Sequence, residues 1–147
     1  MILTFRNFLV LVVVLLIPVH DAYSGERCVN QSGLRVCVQM KGPCDLAHLM
    51  PREKTKVKMD LFYITFLNNS DRRVTIDPEY FYGITASGYA VKLDAPLYAS
   101  IELKTKLRRR DLGPQEQTRG HLFFPSSMGP VRTLIYEGEF LLEIQLF

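Results

Sequence analysis

LFYITFLNNSDRRVTIDP, residues 61–78, decides how the rest of the chain is read. Leu61 to Leu67 is rich in aromatic and β-branched residues and is apolar on both faces, the composition of a central strand covered on two sides. Asn68-Asn69-Ser70-Asp71 is a turn cluster, because these side chains bond their own backbone and tolerate tight geometry. Val74 to Ile76 is a short strand closed by Asp77-Pro78. Reading back from Leu61, Lys54, Lys56 and Lys58 alternate with Thr55, Val57 and Met59, which extends this strand to Lys54–Leu67.

The strand, turn, strand rhythm continues in both directions. Leu34, Val36, Val38 and Met40 alternate with Arg35, Cys37 and Gln39, a half-buried strand that Gly42-Pro43 is expected to break. Asp45 to Met50 reads as a short helical turn ended by Pro51. Downstream, Tyr80–Thr85, Tyr89–Leu93, Ile101–Leu107 and Thr118–Phe124 read as strands. Arg132–Tyr136 and Phe140–Leu146 form a closing hairpin around Glu137-Gly138-Glu139. No segment keeps a helical period over three turns. Many short strands between turn signals predict an all-β fold.

The first 24 residues carry the address. Arg6 and the terminal amine are followed by ten apolar residues, Phe8 to Ile17, then Pro18 and the small residues of Ala22-Tyr23-Ser24. This is the pattern of a secretory signal peptide cut between Ser24 and Gly25. A spanning helix needs about 20 apolar residues, so no transmembrane span is expected after cleavage. Arg27 before Cys28 argues against a lipidated cysteine. The expected layout is a signal peptide at 1–24, a Cys-containing hairpin and loop at 25–53, and a sandwich at 54–147.

Removing one of 18 basic and one of 15 acidic residues leaves 17 against 14, net +3. That balance does not call for nucleic acid, and a secreted protein rarely meets it. Three cysteines stand at 28, 37 and 44. A two-residue hairpin loop at Ser32-Gly33 sets Cys28 opposite Cys37 on a closely spaced, non-hydrogen-bonded pair, so a cross-strand disulfide fits there. Cys37 with Cys44, through Gly42-Pro43, is the rival pairing. In the first arrangement Cys44 is left unpaired or available to a partner chain.

Leu61–Pro78, Leu112–Pro125 (LGPQEQTRGHLFFP) and the closing Leu134-Ile135-Tyr136 and Leu141–Leu146 together resemble small secreted bacterial domains. These are the telokin-like, immunoprotective extracellular protein-like family of immunoglobulin-type β-sandwiches. The resemblance covers about residues 57–146. It implies a single immunoglobulin-like β-sandwich and carries no shared active site, and fold alone does not assign chemistry.

Candidate chemistry is sparse. The segment after the signal has two histidines, His48 and His121, with no Gly-x-Ser-x-Gly elbow and no protease-type cysteine signature. No enzyme and no cofactor are therefore expected, and His121 reads as an ordinary strand residue. Met40, Cys44, His48 and Met50 offer soft ligands and an imidazole that would suit copper, an alternative reading as a periplasmic metal-binding protein. The strongest surface signal is basic. Lys54, Lys56 and Lys58 share one strand face, and Lys104, Lys106, Arg108 and Arg110 share another, with Arg109 between them. Each row spaces its cations about 6.5 Å apart. Such rows suit an anionic envelope component or a protein partner. They equally suit edge strands guarded against aggregation, with Glu137, Glu139 and Glu143 nearby. The reading is a secreted or periplasmic, non-enzymatic binding or structural domain. A third alternative is an envelope-assembly subunit held by an uncleaved N-terminus or by Cys44.

Overall fold

The computed structural model describes residues 25–45, 58–93, 98–99 and 103–146. The signal peptide at 1–24, most of the expected helical turn at 45–50 and the strand start at 54–57 lie outside the described residues.

Among the described residues ten strands form. They are β1 (Glu26–Gln31), β2 (Leu34–Asp45), β3 (Lys58–Asn68), β4 (Val74–Ile76) and β5 (Phe81–Thr85), then β6 (Ala90–Lys92), β7 (Arg110–Leu112), β8 (Gln117–Pro125), β9 (Val131–Glu137) and β10 (Leu141–Gln145). One sheet runs β1-β2-β3-β8 and a second β10-β9-β5-β6, while β4 and β7 pair as a two-stranded strip. All these strand pairs are antiparallel. The fold is an all-β, immunoglobulin-like sandwich.

The core follows from alternation. Phe62, Ile64 and Phe66 on β3 point inward, as do Val36 and Val38 on β2 and Leu122 and Phe124 on β8. They meet Phe81, Leu134 and Tyr136 of the second sheet in one apolar cluster. Phe66 packs against Phe81 and Tyr136, each at 5.8 Å between ring centres. Tyr136 buries its ring and keeps its hydroxyl satisfied, accepting from Asp77 N at 3.2 Å and donating to Thr75 O at 3.3 Å. Burial pushes that phenol up to about 12. The bonds hold the β4–β7 strip against the second sheet.

The N-terminal hairpin enters the first sheet. The Ser32-Gly33 loop has φ of 55° and 77°, as a two-residue hairpin turn requires. β1 and β2 pair in the register the loop predicts, Cys28 opposite Cys37 and Val29 opposite Val36. The two cysteines are bonded, with Cα atoms 4.1 Å apart. β2 then pairs with β3 from Leu34↔Asn68 to Asp45↔Lys58, making it an interior strand.

Two sequence expectations are corrected. Gly42-Pro43 does not end β2. The ladder shifts register between Met40 and Gly42, and Gly42 takes φ 87°. β1 reaches only to Gln39, so Pro43 sits beside a bulge where β2 has a single neighbour, a place proline is accommodated. Of the expected strand Ile101–Leu107, residues 101–102 lie outside the described residues and 103–107 is likewise not a strand. Lys104 and Thr105 form a turn closed by Lys106 N donating to Leu103 O at 3.1 Å, and Lys106 makes one isolated parallel bridge to His121. Leu107 is fully buried, so alternation identified its inward residue without identifying its pairing.

Gly120 explains that approach. A Cβ there would stand 2.5 Å from Leu107 N and 2.6 Å from its Cα. Only glycine lets the 105–107 segment lie on β8, where Leu107 N donates to His121 O at 2.8 Å and His121 N to Thr105 O at 2.7 Å. This accounts for the Thr-x-Gly step at 118–120.

Candidate functional site

Three turns converge on Asn68. Its side chain is fully buried. Nδ2 reaches Arg72 O at 2.7 Å, Leu112 O at 3.1 Å and Gly113 O at 3.2 Å, while Oδ1 accepts from Ser70 N and Ser70 Oγ. Its backbone bonds Glu116 and Gln115, and the next residue, Asn69, donates to Gly33 O. The hairpin loop, the Asn68–Asp71 turn and the Gly113–Glu116 turn are thus locked together. The two stretches that resemble the secreted domains, 61–78 and 112–125, meet at this residue. It is a structural node, since its polar atoms are already occupied.

The basic residues predicted as one strand face are dispersed. Lys104 is exposed in the turn. Lys106 folds inward, its Nζ donating to Tyr98 O at 2.9 Å and standing 5.0 Å from the Tyr98 ring centre. Burial, then the neighbouring Arg108 charge, lowers its pKa. Tyr98 is buried against Phe123, with ring centres 4.5 Å apart, and its hydroxyl lies against Leu107 O and His121 O. Burial raises the Tyr98 phenol, partly opposed by Arg108 and the bond to Leu107.

Arg108, Arg109 and Arg110 remain exposed. Arg109 makes a long 3.9 Å ion pair with Asp77 in which its own side chain is 73% exposed. Exposed pairs of this kind contribute little to stability. Arg110 stands opposite Ile76 in the β4–β7 ladder. Arg108 and Arg109 form a lip of a groove of about 450 Å³ floored by Tyr98, Leu107 and Leu93. Arg109 also borders a second depression of about 350 Å³ beside Tyr80 and Glu139. Glu139 in turn borders a third, of about 260 Å³, lined by Arg72, Arg73 and Ser70. The three share lining residues and run in series along the β4–β7 strip.

Lys58 is exposed at the start of β3, and Lys54 and Lys56 lie outside the described residues. Of the copper candidates, His48 and Met50 lie outside them too. Met40 packs half-buried against the core, and Cys44 stands on β2 opposite Met59. Glu26, Cys28 and Cys37 cluster within 4.8 Å, with both sulfurs already in the disulfide. Sequence reasoning missed Arg72 and Arg73, which join Arg109 along the series of depressions. It also missed Arg35, Lys41 and Arg119, which two strands that are not neighbours, β2 and β8, bring to one sheet face. The alternation of each strand held the signal, but only pairing aligns the three. Among the described residues no helix is long and apolar enough to cross a membrane.

The fold defines an all-β, immunoglobulin-like sandwich. No family model matches the chain, and no curated protein matches it in sequence. Two solved structures share its fold. The secreted protein MPT63 of Mycobacterium tuberculosis superposes with a TM-score of 0.53 at 14% identity, over 82% of this chain and 88% of that one. The yjhA protein of Bacillus subtilis superposes with a TM-score of 0.52 at 12% identity, over 74% and 76%. At these identities the likeness is one of fold.

Proposed function

We propose that this protein is an exported, non-enzymatic binding domain that engages an anionic envelope component through Arg108, Arg109 and Arg110. The observation that carries the reading is three consecutive exposed arginines, of which Arg108 and Arg109 line a groove and Arg110 follows on β7, with one long ion pair between them and the rest of the described residues. Guanidinium forks match carboxylate, sulfate and phosphate geometry and are weakly hydrated, which favours contact with anions. Lys104 adds an exposed charge nearby in sequence. Lys106 supports the groove wall, because its ammonium is turned onto Tyr98.

Export rests on the 1–24 pattern, and a secreted protein with the same fold supports it. Cleavage is tested by the mass of the exported chain, expected to begin at Gly25. For binding, dextran sulfate is titrated at rising salt. Affinity should fall steeply as salt screens the contact, and the triple variant Arg108→Glu, Arg109→Glu, Arg110→Glu should lose about tenfold or more. A triple variant that binds dextran sulfate as tightly as the parent protein overturns the assignment.

A further inference from the structure

The two sheets present different outer faces. On the first, Arg35 and Lys41 project outward from β2 and Arg119 from β8, since their neighbours Leu34, Val36, Thr118 and Gly120 face the core. The registers set Cys37, Thr65 and Arg119 in one row and Arg35, Leu67 and Gln117 in the next. Arg35 and Arg119 therefore straddle β3 on a diagonal, about 12 Å apart from two strand spacings across and two residues along. Lys41 Nζ stands 6.0 Å from the Tyr63 ring centre. The acidic group on this face is Glu26, opposite Gln39 at the start of the edge strand. On the second sheet the outward charges include Glu137 on β9 and Glu143 on β10 against Lys92 on β6. The first face is cationic, whereas the second sheet carries both signs, Glu137 and Glu143 with Lys92 and the exposed Arg132.

The ground between the cations is mixed, with Tyr63 and Leu67 on either side of Thr65 along β3. Tyr63 and Leu67 are half-buried without a covering layer among the described residues, and the Cys28–Cys37 disulfide lies beside them. Tyr98 packs on Phe123 of β8, and among the described residues none packs over the surface from Tyr63 to Arg35. Tyr and Arg around an apolar centre is the composition of a protein-binding patch. A sulfated or phosphorylated polymer would neutralise the cations and leave Tyr63, Leu67 and the disulfide in water. We infer that this sheet face docks a protein partner whose surface combines carboxylates, set against Arg35, Lys41 and Arg119, with apolar or aromatic side chains set against Tyr63 and Leu67. The site is separate from the Arg108–Arg110 groove.

The test titrates two labelled probes into the exported protein by fluorescence anisotropy at fixed salt: poly-L-glutamate and a glutamate–tyrosine random copolymer of matched charge. The copolymer should bind roughly fivefold tighter or better, because its rings cover the apolar centre. The double variant Arg35→Glu, Arg119→Glu should weaken it about tenfold, with Arg35→Gln, Arg119→Gln intermediate. The Arg108–Arg110 triple variant should change it less than about threefold, so that this surface and the groove fail separately. Equal affinity for the two probes, an unchanged double variant, or preference for phosphatidylglycerol vesicles over the copolymer each overturns the inference. Because both arginines are exposed on formed strands, the variants should keep the parent melting temperature within a few degrees.

Discussion

The Asn68 node and the Arg108–Arg110 run are both polar, yet they stand at opposite extremes. At Asn68 the amide is fully buried and its donors and acceptor are occupied by three turns. Along Arg108–Arg110, two of which line the groove, three charged groups face solvent, and Arg109 makes one long ion pair with Asp77. The first arrangement spends its hydrogen-bonding capacity on the fold. The second leaves it available. The difference separates residues whose loss should be felt in stability from those whose loss should be felt in binding.

The most severe way to break the comparison is at Asn68. Asn68→Ala strands the carbonyls of Arg72, Leu112 and Gly113 and should cost about 3–5 kcal/mol in urea unfolding. A loss below about 1 kcal/mol would show that the node is not what joins the turns. Gly120→Val comes next, since a side chain there collides with Leu107 backbone rather than with a flexible side chain. It should cost about 2–4 kcal/mol and expose Tyr98 to quenchers of tyrosine fluorescence.

Cys28→Ser with Cys37→Ser should cost about 2–3 kcal/mol, the contribution expected of a short closed loop, and should leave β3 and β8 protected from hydrogen exchange. Protection lost across the whole sheet would mean that the hairpin is needed for the sandwich to form.

Asp60 sharpens the comparison from inside the core. It is nearly inaccessible, accepts a 3.4 Å bond from Val131 N across the two sheets, and has its pKa raised chiefly by burial. A raised folded pKa means that the folded state holds the proton more tightly. The stabilisation is complete below the unfolded value near 4 and is lost as pH rises through the folded one. Asp60→Asn keeps an acceptor without the charge. It should match the parent protein near pH 3 and become the more stable of the two, by about 1 kcal/mol, by pH 7. Parallel stability curves for the two proteins across that range would contradict the assignment. At the smallest end, the Arg108–Arg110 triple variant should shift stability by less than about 0.5 kcal/mol while removing dextran sulfate binding.

Much of the fold was legible because strand alternation and turn chemistry are local. Val74–Ile76 and the closing hairpin were recoverable from spacing. The Cys28↔Cys37 register followed from counting outward from Ser32-Gly33. Ile101–Leu107 shows the limit. It alternates as well as Leu34–Met40 does, but β8 offers it one bridge, and Lys106 and Leu107 are held by Gly120 and Tyr98 instead. The basic row predicted on that strand dispersed for the same reason.

By itself the sequence determined the all-β class, the hairpin register and the identity of many core residues, because each depends on neighbours a few positions apart. Tertiary structure alone decided that β2 lies between β1 and β3, that Asn68 joins three turns, and that Arg35, Lys41 and Arg119 share a face. These depend on which strands pair, and pairing is settled by long-range burial and by close approaches such as the one Gly120 permits, neither of which leaves a periodic trace in the chain.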